Sequence, residues 1–322
     1  MNVNDRAIKM LINGSLKGDR KAIAKMITLI EEDPIAALRY EDEILKHRRD
    51  FVVLGFSGAP GVGKSSIINH LIRELRRRSH KVAVLALDPT SVISGGSLLG
   101  DRVRVRYFDE GTFFRSITTQ PESDVPWKVC PIIEFLGSIG YDYIILEHPG
   151  AGQVDVRIRD IADILAIVLQ PLTGDEIQML KAGLLELGDI YIINKYDLPQ
   201  AELFYTIVES ILSTSRLLTT IKPKVLKVSA LKGFGIDDLV NTLFSIEQEL
   251  RDKGILAIRR LKRILSCAES AIISDVKLKV NNIVKDIERK LIREHEYLSL
   301  RNAIISLRKH LIRAMCGRNI GV

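Results

Sequence analysis

The segment Ser57-Gly-Ala-Pro-Gly-Val-Gly-Lys-Ser-Ser66 gathers glycines, a lysine and hydroxyl side chains in a pattern suited to gripping phosphate. Gly58 to Ser65 matches GxxxxGK[ST], and the pattern runs on from an apolar stretch, FVVLGF, into SSIINHLIREL, a strand-to-helix context. Gly58, Gly61 and Gly63, with Ala59, Pro60 and Val62 between them, let the backbone close round phosphate oxygens so that successive N–H groups face the anion. The helix that opens at Lys64, Ser65 and Ser66 adds the positive end of its dipole. Lys64 contributes a point charge on the outer phosphates, and the Ser65 hydroxyl suits Mg²⁺.

A phosphate loop does not by itself choose a base. Asn194-Lys195-Tyr196-Asp197 follows the apolar run IYII and matches NKxD at a strand's carboxyl end, where open α/β sheets place their ligands. A carboxylate at Asp197 accepts from guanine N1–H and the exocyclic amine, whereas adenine would set it against an acceptor at a cost of about 1–3 kcal/mol. Asn194 braces the loop and the Lys195 stem covers the base. Ser229-Ala230-Leu231, after the next strand, resembles the SA[KL] element whose backbone N–H reaches guanine O6. The pair of elements, in this order, predicts GTP and GDP as ligands.

Phosphoryl transfer is mostly positioning and charge neutralisation, so acidic groups at strand ends beside the phosphate loop are expected. Asp88 closes KVAVLALD, Glu147 closes YIILE, and Asp101 lies in the Gly-rich stretch SGGSLLGDR. With Ser65 they make the candidate Mg²⁺ ligands. Glu147 to Gly150 occupies the place of a DxxG motif, which makes the Gly150 N–H a sensor of the γ-phosphate. Ala151 stands where small signalling GTPases carry a water-positioning Gln, and Gln153 comes three residues after Gly150. Intrinsic hydrolysis is therefore expected to be slow.

These residues need a parallel sheet to hold them. The near-continuous apolar runs at 51–56, 81–87, 143–147, 164–170, 190–194 and 224–230 read as strands buried on both faces, with amphipathic crossovers between them. A short edge strand is expected at RVRVRYF (102–108). Residues 1–48 read as a helical extension, with Ile8, Leu11, Ile12, Ile23, Met26, Ile27 and Ile30 at helical spacing. Residues 249–322 carry no strand pattern. There Val284, Leu291, Leu298, Ile305 and Ile312 recur every seven residues, a stripe suited to a long helix or helical hairpin acting as a dimerisation arm. The fold class is thus α/β, a three-layer α/β/α core over 49–248 with helical regions before and after it.

At 322 residues, 46% hydrophobic and 27% charged, the chain excludes wholesale disorder. No apolar run reaches a membrane span and the N-terminus lacks a signal-peptide core, so a cytoplasmic protein is expected. From Arg251 onward there are 17 Lys and Arg against 7 Asp and Glu, so the net charge of +7 comes from this tail. With Tyr297 its only aromatic it offers no stacking platform, and no nucleic-acid partner is expected. Cys130, Cys267 and Cys316 fit neither a disulfide framework nor a zinc knuckle and are expected to be ordinary thiols.

Beyond a generic GTPase, LKGDRKAIAKMITLIEEDP (16–34), GAPGVGKSS, VAVLALDPTS, GGSLLGDRVR, GAGQ (150–153) and PLTGDEIQMLKAG (171–183) resemble the methylmalonyl-CoA mutase-associated GTPase chaperones, the MeaB/ArgK-like P-loop G proteins. The resemblance implies a homodimeric GTPase that escorts an adenosylcobalamin-dependent acyl-CoA mutase, gating cofactor loading and protecting the enzyme. It also implies that Gly174 to Lys181 form an additional switch toward the mutase, with Lys181 as its relay. Two departures stand out. Where the family usually reads ETVGVGQ, this chain has Glu147-His148-Pro149-Gly150-Ala151-Gly152-Gln153, and His148 is read as a packed spacer. SITTQPESDVPWK, after Arg115, lacks a Gly-rich continuation.

A nickel-insertion GTPase would share this fold and guanine code, but such proteins usually carry Cys/His clusters, which this sequence does not show. A small-molecule kinase lacks a marked second substrate pocket here, and the NKxD element argues against ATP.

Overall fold

The structure, a computed structural model, describes residues 3–47, 49–89, 109–119, 127–148, 157–171, 187–214, 220–294 and 299–316. Seven parallel strands form one sheet: β1 (Val52–Ser57), β2 (Val82–Pro89), β3 (Thr112–Thr119), β4 (Tyr143–Glu147), β5 (Ile164–Leu169), β6 (Ile190–Ile193) and β7 (Lys224–Lys227). Their order is β3-β2-β4-β1-β5-β6-β7, which puts β1 at the centre between β4 and β5.

The apolar runs of β1, β2, β4, β5 and β6 are continuous because each of these strands feeds two cores; β7, expected to be buried on both faces, is instead an edge strand with Lys224 exposed and Val225 to Lys227 half-buried. Val53, Ile144, Leu146, Leu165, Ile167, Tyr191 and Ile193 face one side. Val52, Leu54, Phe56, Ile145, Ala166, Val168 and Ile192 alternate to the other. The first core is covered by α1 (Val3–Leu16), α2 (Arg20–Glu32), α6 (Val129–Ser138) and α8 (Ala201–Thr214); two short helices, α3 (Pro34–Ala37) and α4 (Glu41–Leu45), follow α2. The second is covered by α5 (Lys64–Arg77) and α9 (Ile236–Asp252). The three-layer α/β/α core is therefore present.

In α2 the expected apolar positions Ile23, Met26, Ile27 and Ile30 are buried against the sheet, and Asp19 caps the helix by accepting from the Lys21 and Ala22 N–H groups. Ile12 of α1 is buried with them.

The edge strand expected at 102–108 lies outside the described residues. Among the described residues one edge of the sheet is β3, for which no strand was expected, and its Thr112–Thr119 pairs in register with Val82–Pro89 of β2. Phe113 and Ile117 of β3 are buried, and Arg115 is fixed by Thr28 and Glu31 of α2. β3 reads TFFRSITT, with its single Arg neutralised by α2.

Residues 1–267 form one compact unit and 268–322 a second. A helix of 40 residues, α10 (Ile255–Glu294), is followed by α11 (Leu300–Cys316). Val284, Ile305 and Ile312 of the seven-residue stripe are exposed, and Leu298 lies outside the described residues. No helix among the described residues is long and apolar enough to cross a membrane.

The first turns of α10 are held to the body by charge. Asp163 and Asp189, each fully buried immediately before β5 and β6, accept backbone N–H groups from Val53 and Leu165. Arg259 grips Asp189 with both terminal nitrogens, at 2.8 and 3.1 Å, and Arg263 reaches Asp163 at 2.7 Å. Arg159, in α7 (Arg157–Ile161), joins Asp189 from the other side.

The cysteines differ from expectation. Cys130 of α6 and Cys267 of α10 form a disulfide, with Cα atoms 6.5 Å apart. Their 137-residue separation in the chain is invisible to any rule based on spacing, and only the packing of α10 against α6 reveals the pair.

Candidate functional site

The carboxyl ends of β1 and β6 open into one cleft of about 980 Å³. Gly61, Gly63, Ser65, Ser66, Asn194, Lys195, Asp197, Ala230 and Leu231 line it, so the three loops at 57–66, 194–197 and 229–231 meet in one place. β1 ends at Ser57, and α5 starts at Lys64, capped by Gly63 in a left-handed conformation with φ +96°. A Cβ on Gly63 would lie 2.2 Å from Asn194 Nδ2, so glycine is demanded here by the base loop as well as by backbone curvature.

Lys64 is buried, and its ammonium donates to the Gly58 and Ala59 carbonyls at 2.7 and 3.1 Å. Its charge is thus held inside the curve of the loop. Ser65 Oγ donates to Oε1 of Glu147, which is 4% exposed at the end of β4. Asp88 lies at the carboxyl end of β2, two residues beyond Ala86, the register partner of Glu147. A hydroxyl and carboxylates are hard oxygen donors that suit Mg²⁺, which takes few protein ligands and completes its shell with phosphate and water. Among the described residues no group of three or more His, Cys, Asp or Glu could hold a metal by itself. Asp101, Gly150, Gln153 and Lys181 lie outside the described residues. The His148 N–H donates to the Phe56 carbonyl at 3.0 Å, which carries the β1–β4 ladder one residue past Glu147.

Asn194 is the joint of the site. Its Nδ2 donates to the Val62 carbonyl of the phosphate loop at 2.7 Å, and its Oδ1 accepts from the Ala230 N–H at 3.0 Å. One buried amide therefore ties three loops together. Lys195 adopts the left-handed region at φ +57°, a costly conformation for a non-glycine residue that is typical of functional turns. The Ser229 hydroxyl donates to Asp197 Oδ1, and this bond holds the Asp197 carboxyl below the usual carboxylate range. The carboxylate is thereby favoured in its ionised, accepting form. Tyr196 turns outward, stacked on Phe234 with ring centroids 6.2 Å apart and hydrogen-bonded to Glu202.

The cleft also contains residues that motif matching passed over: Asn69, His70 and Arg73 of α5, and Leu198. The three α5 residues follow Ser66 at helical spacing, so projecting the phosphate-loop helix forward would have found them.

The match to known proteins now decides the family. The family model described as methylmalonyl-CoA mutase-associated GTPase MeaB matches residues 23–284. This chain belongs to the MeaB family. A protein of Pyrococcus horikoshii that bears a GTPase name is 34% identical over 287 residues, covering 87% of this chain and 90% of that protein. The mitochondrial methylmalonic aciduria type A homolog of Mus musculus is 31% identical over 276 residues, 79% of this chain and 66% of that one. A fused isobutyryl-CoA mutase of Nocardia farcinica is 39% identical over 193 residues, which is 58% of this chain and 18% of that much longer protein. The crystal structure of a LAO/AO transport system kinase superposes with a TM-score of 0.70 at 22% identity, covering 97% of this chain and 100% of that one; it shares the fold. Membership in the MeaB family, whose model is described as a GTPase, agrees with a guanine-nucleotide ligand.

Proposed function

We propose that this MeaB-family chain binds and slowly hydrolyses GTP and uses the nucleotide state to assist an adenosylcobalamin-dependent acyl-CoA mutase in assembly, cofactor loading and protection. The observation that carries the reading is the single cleft in which Asn194 joins the phosphate loop to the Asp197 and Ser229–Leu231 loops.

The chain's own residues divide the work. Lys64 and the N–H groups of residues 58–66, other than Pro60, hold the β- and γ-phosphates, at the positive end of α5. Asp197 takes the N1–H and exocyclic amine of the base, and the Ser229–Leu231 loop presents N–H to O6. Ser65, Asp88, Asp101 and Glu147 hold Mg²⁺, which when bound neutralises charge on the phosphate oxygens. Gly150 senses the γ-phosphate. Ala151 stands at the sequence position of the water-positioning Gln and Gln153 comes three residues after Gly150, which keeps unaided turnover slow. Gly174 to Lys181 relay the nucleotide state to the mutase, and the exposed apolar stripe of 249–322 pairs two copies into a homodimer. The setting is the cytoplasm.

The test is GTP turnover by the purified protein, alone and with a cobalamin-dependent acyl-CoA mutase from the same source. Slow turnover alone, stimulation on mixing and a stable complex are expected. Rapid turnover by the isolated chain, or the absence of both stimulation and complex, contradicts the reading.

A further inference from the structure

We infer that His70 is a positioning residue for guanine recognition, setting the base-reading loop from the phosphate-binding helix; this rests on the guanine-nucleotide reading of the cleft. His70 lies on α5, six residues after Lys64, and lines the same cleft as Asp197. Its Nε2 is 2.8 Å from the Ala230 carbonyl oxygen across 160 residues of sequence. A carbonyl only accepts, so Nε2 carries the proton. Arg73 Nη2 lies 3.5 Å from Nδ1, and the same tautomer suits that neighbour too.

The bond matters because of what it completes. The Ser229–Phe234 loop is closed on itself, with Ser229 and Phe234 exchanging backbone N–H···O bonds of 3.0 and 3.1 Å, so it moves as one piece. Its residue Ala230 is gripped through both of its backbone polar groups: the N–H by Asn194 Oδ1 and the carbonyl by His70. The His70 ring also packs against the loop, 3.9 Å from where a Cβ on Gly233 would stand. A continuous chain of hydrogen bonds thus runs from the Val62 carbonyl through Asn194 and Ala230 to His70, and α5 returns it to the phosphate loop. Without His70 a half-buried carbonyl loses its donor and the loop is free to tilt about its Ser229/Phe234 base. The contact that suffers is the one to O6 of the base, while Asp197, held by Ser229, keeps its own.

The experiment measures equilibrium binding of GDP, IDP and pyrophosphate to native protein, His70→Ala and His70→Gln. IDP keeps O6 but lacks the exocyclic amine, and pyrophosphate reports the phosphate loop alone. The expected result is that His70→Ala weakens GDP and IDP by the same factor, about tenfold, with pyrophosphate unchanged. His70→Gln, which keeps an N–H donor of similar reach, should bind GDP within about threefold of native protein. GDP binding unchanged in His70→Ala, or equal losses for pyrophosphate and GDP, overturns the proposal while leaving the cleft's assignment intact. If His70→Ala fails to fold, His70→Phe, which fills the space without a donor, decides: a selective loss of GDP affinity with pyrophosphate unchanged supports the proposal, and native-like GDP binding overturns it. Failure of the native protein to bind GDP removes the guanine reading itself and this proposal with it.

Discussion

At the scale of single residues, the site's contiguous parts were readable and its long-range parts were not. Gly58 to Ser66, Asn194 to Asp197 and Ser229 to Leu231 each carry their chemistry within a few positions, and all three reach the same cleft. The bonds that hold them are separated by 36 residues in one case, 132 in another and 160 in a third, and no local pattern encodes such partners. Gly63 illustrates the difference. Its type was legible as phosphate-loop curvature, but the close passage of Asn194 Nδ2 also requires it, and only the fold shows this. Lys64 belongs to this scale as well. Its ammonium is enclosed by the loop's own carbonyls, so removing it takes away both the phosphate's countercharge and the loop's internal brace. Lys64→Ala should weaken GTP binding on the order of 100-fold, as judged by titration calorimetry. Native-like affinity would refute the phosphate-loop assignment.

Among the elements, six of the seven strands stand where uninterrupted apolar runs had put them: five are buried on both faces, which leaves a signal that does not depend on neighbours, and β7 is a half-buried edge strand still marked by Val225 and Leu226. β3 escaped because it is an edge strand with Thr112 and Arg115 within it, and its pairing with α2 through Glu31 is a tertiary event. The strands' amino ends hold a second structure that the sequence hid. Asp163 and Asp189 are isolated carboxylates before ordinary-looking apolar runs, yet they anchor α10 through Arg259 and Arg263. Burial pulls the Arg259 pKa down against the opposing pull of Asp189, which marks a charge that depends on its partner. Asp189→Asn leaves Arg259 and Arg159 without their counterion in a buried setting, at a cost of roughly 3–5 kcal/mol. Denaturant unfolding measures this loss, and a change of under 1 kcal/mol would show that the cluster is not a clamp.

For the whole molecule, the helical regions flanking the core were visible as periodic stripes, whereas their attachments were not. Asp50, just before β1, pairs with Arg251 and Arg260 and so ties the core's entry to the helices that leave it. Burial pushes the Asp50 pKa up, but the two guanidinium groups more than offset it and the carboxyl titrates below its ordinary value. A depressed folded-state pKa gives stability that is present above the unfolded value, about 3.9, and lost as pH falls through the folded one. The melting temperature of Asp50→Asn should therefore lie below that of native protein at pH 7, and the two should converge as pH drops below about 4. A constant gap would place the effect elsewhere. The Cys130–Cys267 disulfide adds a covalent tie from α10 to α6 in the same unit of the chain.

The account turns on the cleft being a guanine site, and base exchange at Asp197 tests it most directly. Binding of GDP and XDP should be measured with native protein and Asp197→Asn, since an amide at 197 presents a donor to the xanthine oxygen where the carboxylate accepts from the guanine amine. The prediction is a native preference for GDP that reverses toward XDP in the variant. Retained guanine selectivity in Asp197→Asn would contradict the role assigned to this residue and, with it, the reading of the cleft.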